Sequence, residues 1–132
     1  MAVYSDSSYY SEILLGSETT PRKVLVDTGS GDLWLASPDC DSCSQTTDTY
    51  SHAASSSLVH QDETFSIKYG SGEASGYLVS DSVTWGGYSV PNQTFALCDQ
   101  VSEGLLTGDV SGLLGLGFEV RSIFYSCCYK LM

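Results

Sequence analysis

The chain has 132 residues, with 16 acidic residues against five basic ones and a formal charge of −11 at pH 7. That length suits one domain with a buried core and is too short for two, while the charge repels nucleic acid and anionic membranes and argues against either as a partner. With so few bases, protonating carboxylates towards about pH 4 relieves self-repulsion, so folding stability is expected to hold or rise as the pH falls from neutral.

In chain order, the first strand is expected around Ile13-Leu14-Leu15-Gly16, and Met1 to Asp6 shows no basic and apolar leader of the secretory kind. Val24-Leu25-Val26 and Leu33-Trp34-Leu35 are short runs of β-branched, apolar and aromatic residues, hence two strands around a glycine-containing turn. Asp27 stands at the entrance of that turn. A carboxylate after three apolar residues is costly to bury charged unless donors surround it. Thr28, Gly29 and Ser30 bring backbone N–H groups and hydroxyls to the spot, which is how a turn can hold a reactive carboxylate. Asp-Thr-Gly is also a common turn on local grounds, and alone it decides little.

Cys40 and Cys43 follow the second run and Pro38, and a disulfide, a redox dithiol and half of a zinc site are all open at that spacing. A redox pair is expected between a strand and a helix, whereas residues 44–57 are rich in Ser, Thr and Asp and read as loop. Zinc would need two further well-spaced ligands, and His52, His60 and the adjacent Cys127-Cys128 have no recognisable spacing. The two histidines also lack the nucleophile elbow that a Ser/His/Asp site would want. Five cysteines leave at least one unpaired within a monomer.

Phe65-Ser66-Ile67-Lys68-Tyr69 alternates apolar and polar, breaks at Gly70-Ser71-Gly72 and resumes at Gly76-Tyr77-Leu78-Val79, a β-hairpin with a glycine-rich tip. Asn92-Gln93-Thr94 is an acceptor pattern for N-glycosylation beside Pro91, expected in a surface turn. Cys98 lies in the strand Thr94-Phe95-Ala96-Leu97 and is expected to be an inert core residue. Asp109-Val110-Ser111-Gly112-Leu113-Leu114-Gly115-Leu116-Gly117 is an apolar strand spaced by glycines, which lets another backbone approach closely. Beyond it the composition changes. Residues 118–132 hold Arg121, Lys130 and Cys127-Cys128, and are expected to be a truncated tail foreign to a domain of residues 1–117.

Three of these segments, in this order, resemble the pepsin family of aspartic proteases. Val24 to Ser30 with Leu33-Trp34 resembles its first active-site loop, Tyr69-Gly70-Ser71-Gly72 with Gly76 its flap, and Leu113-Leu114-Gly115 the strand that crosses beside the loop. The resemblance runs from about Tyr9 to Gly117 and implies an all-β, barrel-like lobe with a flap hairpin, the N-terminal lobe only. It implies Asp27 as half of a catalytic dyad, Ser30 hydrogen-bonded to that carboxylate, Thr28 as loop support and Gly29 against the substrate backbone. Tyr69 would be the flap tyrosine, held by the Trp34 indole N–H, with Gly70 and Ser71 bonding substrate backbone and Gly72 completing the flap. The substrate would be a polypeptide, with no metal or organic cofactor, in an extracellular or vacuolar setting. The family often has a small disulfide loop where Cys40 and Cys43 stand, and closing so short a loop would contribute less than ~3 kcal/mol.

Aspartic proteases use two carboxylates that share a proton, one accepting from the attacking water while the other donates to the carbonyl oxygen. Only one such loop is visible here. Asp109-Val110-Ser111-Gly112 lacks Thr or Ser directly after the Asp and lies where the inner strand should run. The expectation is therefore an aspartic endopeptidase lobe that needs a second lobe or a second copy for activity. The alternative is an inactive lobe that at most binds peptides or a protein partner.

Overall fold

Alternating and continuous apolar runs become eight strands in the computed structural model, which describes residues 2–5, 8–27, 29–43, 47, 49–50, 56–70, 72–106 and 108–116. Thr28, His52, Ser71 and the expected tail with Cys127 and Cys128 lie outside the described residues. The strands are β1 (Ala2–Ser5), β2 (Ser8–Leu15), β3 (Arg22–Asp27), β4 (Leu33–Ala36), β5 (Val59–Tyr69), β6 (Gly72–Trp85), β7 (Tyr88–Val101) and β8 (Gly112–Gly115). They form one sheet in the order β1-β2-β3-β8-β4-β7-β6-β5, and a further pairing of β2 with β6 closes six of them into a ring. This is the all-β, barrel-like architecture expected from the sequence.

The middle of the ring explains why β4 reads as an unbroken apolar run. Leu33 and Leu35 join one buried cluster with Val24, Phe95, Leu97 and Leu114, while Trp34 and Ala36 join another with Ala96, Cys98 and Leu113. Period-two alternation thus sends side chains into a hydrophobic layer on each face, and a strand covered on both faces has no polar positions. Where β6 bends over β7, Gly76 sits at a register shift. A Cβ there would lie 1.9 Å from the Leu97 carbonyl oxygen, so only glycine allows the two backbones to meet.

β6 and β7 form a second hairpin that the sequence reading did not include, 14 residues in each arm. It turns at Gly86-Gly87, both with positive φ, the dipeptide that a twisted two-residue turn favours. The surface turn expected at Asn92 is not formed, because Pro91 and Asn92 belong to β7. Asp81 faces Gln93 and Val83 faces Val90, so Pro91 and Asn92 are the extra residues of a bulge, where proline's missing N–H removes no ladder bond. Asn92 is exposed there.

Asp81, 2% exposed, ties the segment before β5 to the barrel. Its Oδ2 accepts from the Tyr50 hydroxyl at 2.8 Å, and its Oδ1 accepts from the Ser57 hydroxyl at 2.6 Å and the Ser82 N–H at 2.8 Å. A buried carboxylate is tolerated only with donors of this kind around it. Cys40 and Cys43 form a disulfide, and Cys98 is a buried free thiol whose pKa burial pushes well above the ordinary range.

Candidate active site

Asp27 ends β3, and its cross-strand neighbour is Gly115, the last residue of β8. The Leu116 N–H donates to the Asp27 carbonyl at 2.7 Å, which fixes the backbone, and the Gly29 N–H donates to Oδ1 of its side chain at 3.0 Å, which orients the carboxylate. A Cβ on Gly115 would lie 2.6 Å from the Ser30 carbonyl oxygen and 2.7 Å from the Asp32 nitrogen. Glycine there lets the strand and the loop pack backbone to backbone, and the Gly115 N–H bonds the Asp32 carbonyl at 3.0 Å.

Ser30 corrects one expectation. Its hydroxyl does not bond the Asp27 carboxylate; it is buried with no hydrogen bond of proper geometry. Ser30 is 5% exposed, and its backbone packs against Gly115 of β8.

Trp34 is fully buried on β4 and donates its indole N–H to the Tyr69 hydroxyl at 2.8 Å. Tyr69 ends β5, faces Gly72 across the hairpin, and is followed by the exposed Gly70 at the tip. Burial pushes the Tyr69 phenol up to about 12, against the hydrogen bond from Trp34 and the nearby Ser30 hydroxyl and with the help of the negative Asp27 and Asp32. The phenol is therefore a neutral hydroxyl at any acid or neutral pH.

Between the loop and the hairpin lies an open cleft of about 700 Å³, and Asp27, Gly29, Tyr69 and Gly70 line it together with Tyr9, Leu25, Lys68, Leu105 and Leu113. Leu25, Leu105 and Leu113 are its apolar members, and Asp27 is the one carboxylate among the described lining residues. A second cavity, of about 510 Å³, is bordered by Asp39, Asp41, Glu73 and Asp99 and holds neither the loop nor Tyr69. The first is the candidate site on chemical grounds, because it joins the positioned Asp27 carboxylate to Tyr69 and the tip of the hairpin. Asp109 is elsewhere: it is exposed and paired with Lys23 at 3.3 Å, four residues before Asp27 and so roughly 13 Å along β3.

Two residues of the site were not foreseen. Asp32 is fully buried beside the loop, and an acidic residue directly before an unbroken apolar strand was a usable signal for it. Lys68 read as the solvent-facing member of an alternating strand, and only the curl of the hairpin puts it in the cleft. Among the described residues no three His, Cys, Asp or Glu side chains converge as metal ligands, and no helix is long and apolar enough to cross a membrane.

The profile of the family described as eukaryotic aspartyl protease matches residues 8–129. The chain belongs to this family. Rhizopuspepsin-1 of Rhizopus niveus is 41% identical over 116 residues, which cover 87% of this chain and 30% of the relative. The vacuolar aspartic protease of Candida albicans is 39% identical over 124 residues, 91% of this chain and 29% of that protein. Among solved structures, the aspartic proteinase from Irpex lacteus superposes with a TM-score of 0.69 at 29% identity, covering 86% of this chain and 29% of that one. The chain thus spans about a third or less of the length of these aspartic proteases.

Proposed function

We propose that the chain is the lobe of an acid endopeptidase that carries the first catalytic aspartate, Asp27. The observation that carries this reading is the cleft itself, in which Asp27 is held by the Gly29 N–H beneath a hairpin whose Tyr69 is anchored to Trp34. In a complete site, Asp27 and a second carboxylate share one proton; one of them takes a proton from the attacking water while the other protonates the peptide carbonyl oxygen. Gly29 and the exposed Gly70 offer backbone groups to an extended polypeptide, and Thr28 and Ser71 complete the loop and the flap. Ser30 supports the loop in this reading. The second carboxylate comes from a partner lobe or from a second copy of the chain.

The alternative is an inactive lobe that binds peptides or a protein partner through the same cleft, where Asp27 is the one carboxylate among the described lining residues. Secretion or a vacuolar location, with Asn92 open to glycosylation, belongs with the enzyme reading. The deciding experiment is cleavage of an unfolded protein at about pH 3.5, with and without a peptide-like aspartic protease inhibitor, comparing the chain with Asp27→Asn. Inhibitable cleavage that is lost in the variant supports a working dyad. No cleavage by folded material favours the binding lobe.

A further inference from the structure

The described residues include three cationic side chains, Arg22, Lys23 and Lys68. Arg22 is paired with Glu18 and Lys23 with Asp109, whereas Lys68 has no ion-pair partner among the described residues. Glu73 stands directly across the ladder from Lys68 and borders the separate acidic cavity, while Lys68 lines the cleft. An exposed lysine without an ion-pair partner thus borders the same cleft as Asp27, on a chain of net charge −11.

We propose that Lys68 is a specificity-determining residue, and that it favours polypeptides carrying an acidic side chain at the position that passes beside the base of the flap. This rests on the reading of the cleft as a peptide-binding site. Lys68 is exposed, so an ion pair with a bound Asp or Glu is screened and changes affinity modestly, by about two- to fivefold. Its pH dependence identifies it. The charged and titratable groups around Lys68 are Asp27, Tyr69 and Tyr9 in the cleft, Glu73 opposite on β6, and Glu103 beside the Gly104 that also lines the cleft. The carboxylates of Asp27, Glu73 and Glu103 oppose an acidic peptide. A glutamate on the peptide ionises between about pH 3.5 and 5.5, and the Lys68 ammonium then attracts it. A preference for acidic peptides that grows with pH therefore has the sign that Lys68 predicts and its neighbours oppose.

The test uses pairs of uncleavable peptides with a reduced scissile bond, identical except for Glu or Gln at one position, scanned along the peptide. Binding to the full chain is read by fluorescence anisotropy at about pH 3.5 and about pH 5.5, on either side of the ordinary glutamate pKa. One position is expected at which Glu binds about two- to fivefold more tightly than Gln at the higher pH and equally at the lower. Lys68→Met removes the difference and Lys68→Arg keeps it; thermal melting checks that both variants fold. A Glu/Gln ratio at or below one at every position, a ratio that persists in Lys68→Met, or no binding of either peptide would overturn the proposal. Cleavage that depends on Asp27 together with a flat ratio sinks this inference alone; a Lys68-dependent ratio without cleavage sinks only the catalytic reading.

Discussion

Replacing Gly115 by alanine tests the packing that sets Asp27. The added Cβ would stand 2.6 Å from the Ser30 carbonyl oxygen and 2.7 Å from the Asp32 nitrogen, where ordinary contact begins at 3.4 Å. The loop must retreat by 0.7–0.8 Å, the difference between those distances. All the atoms it meets are backbone, so no side chain can swing away. The retreat stretches the Gly115 N–H bond to Asp32 and the Leu116 N–H bond to Asp27, now 3.0 and 2.7 Å. Overpacking of this kind destabilises by about 2 to 3 kcal/mol, which in a domain of this size lowers Tm by about 10 °C. Urea and thermal unfolding measure it. The control is Gly70→Ala, where a Cβ meets nothing within 4 Å and the variant should stay within about 0.5 kcal/mol of the parent. If Gly115→Ala were as neutral as Gly70→Ala, the close approach of β8 to the loop would be wrong.

Three further outcomes are expected. Tyr50→Phe removes one donor from the buried Asp81 and should cost about 1.5 to 3 kcal/mol in urea unfolding, as for other hydrogen bonds to a charged group. Tyr69, pushed up to about 12, has a folded pKa above its unfolded value, so the neutral phenol favours the fold below about pH 10 and that contribution is lost as the pH rises through 12. Alkaline absorbance titration should show a late phenolate step that Tyr69→Phe removes and Trp34→Phe moves still higher, since the indole bond opposes the upward shift; a step unchanged in Tyr69→Phe would refute the assignment. The Cys98 thiol, pushed up by burial, should resist alkylation in the folded chain and react in urea, as read by mass spectrometry of its peptide.

The sequence was most legible where side-chain chemistry and backbone geometry agree. Val24 to Asp27, Leu33 to Leu35 and Leu113 to Gly115 are strands because their apolar runs are covered on both faces, and those strands hold the loop. The hairpin around Tyr69 announced itself by alternation and glycine. What could not be read depends on register between distant segments. Pro91 suggested a turn because proline usually ends a strand, and only the bulge opposite Asp81 and Val83 accommodates it within β7. Ser30 carries the hydroxyl that the loop pattern calls for, but in the fold it is buried without a hydrogen-bond partner, which no local rule contains. Lys68 shares its alternation with solvent-facing residues, and only the folded hairpin distinguishes it.

The partnership of Asp27 with Gly115 joins residues 88 positions apart in the chain, the difference of their numbers, and the pairing is parallel. Contacts so remote in sequence carry a large loop-closure penalty and form slowly. During synthesis, β3 and its carboxylate leave the ribosome long before the strand that seats them, so the β3 edge waits unpaired until the last part of this segment is made. The reactive turn is thus among the latest features to mature, and a nascent chain that stalls before β8 would display an open apolar edge to its neighbours.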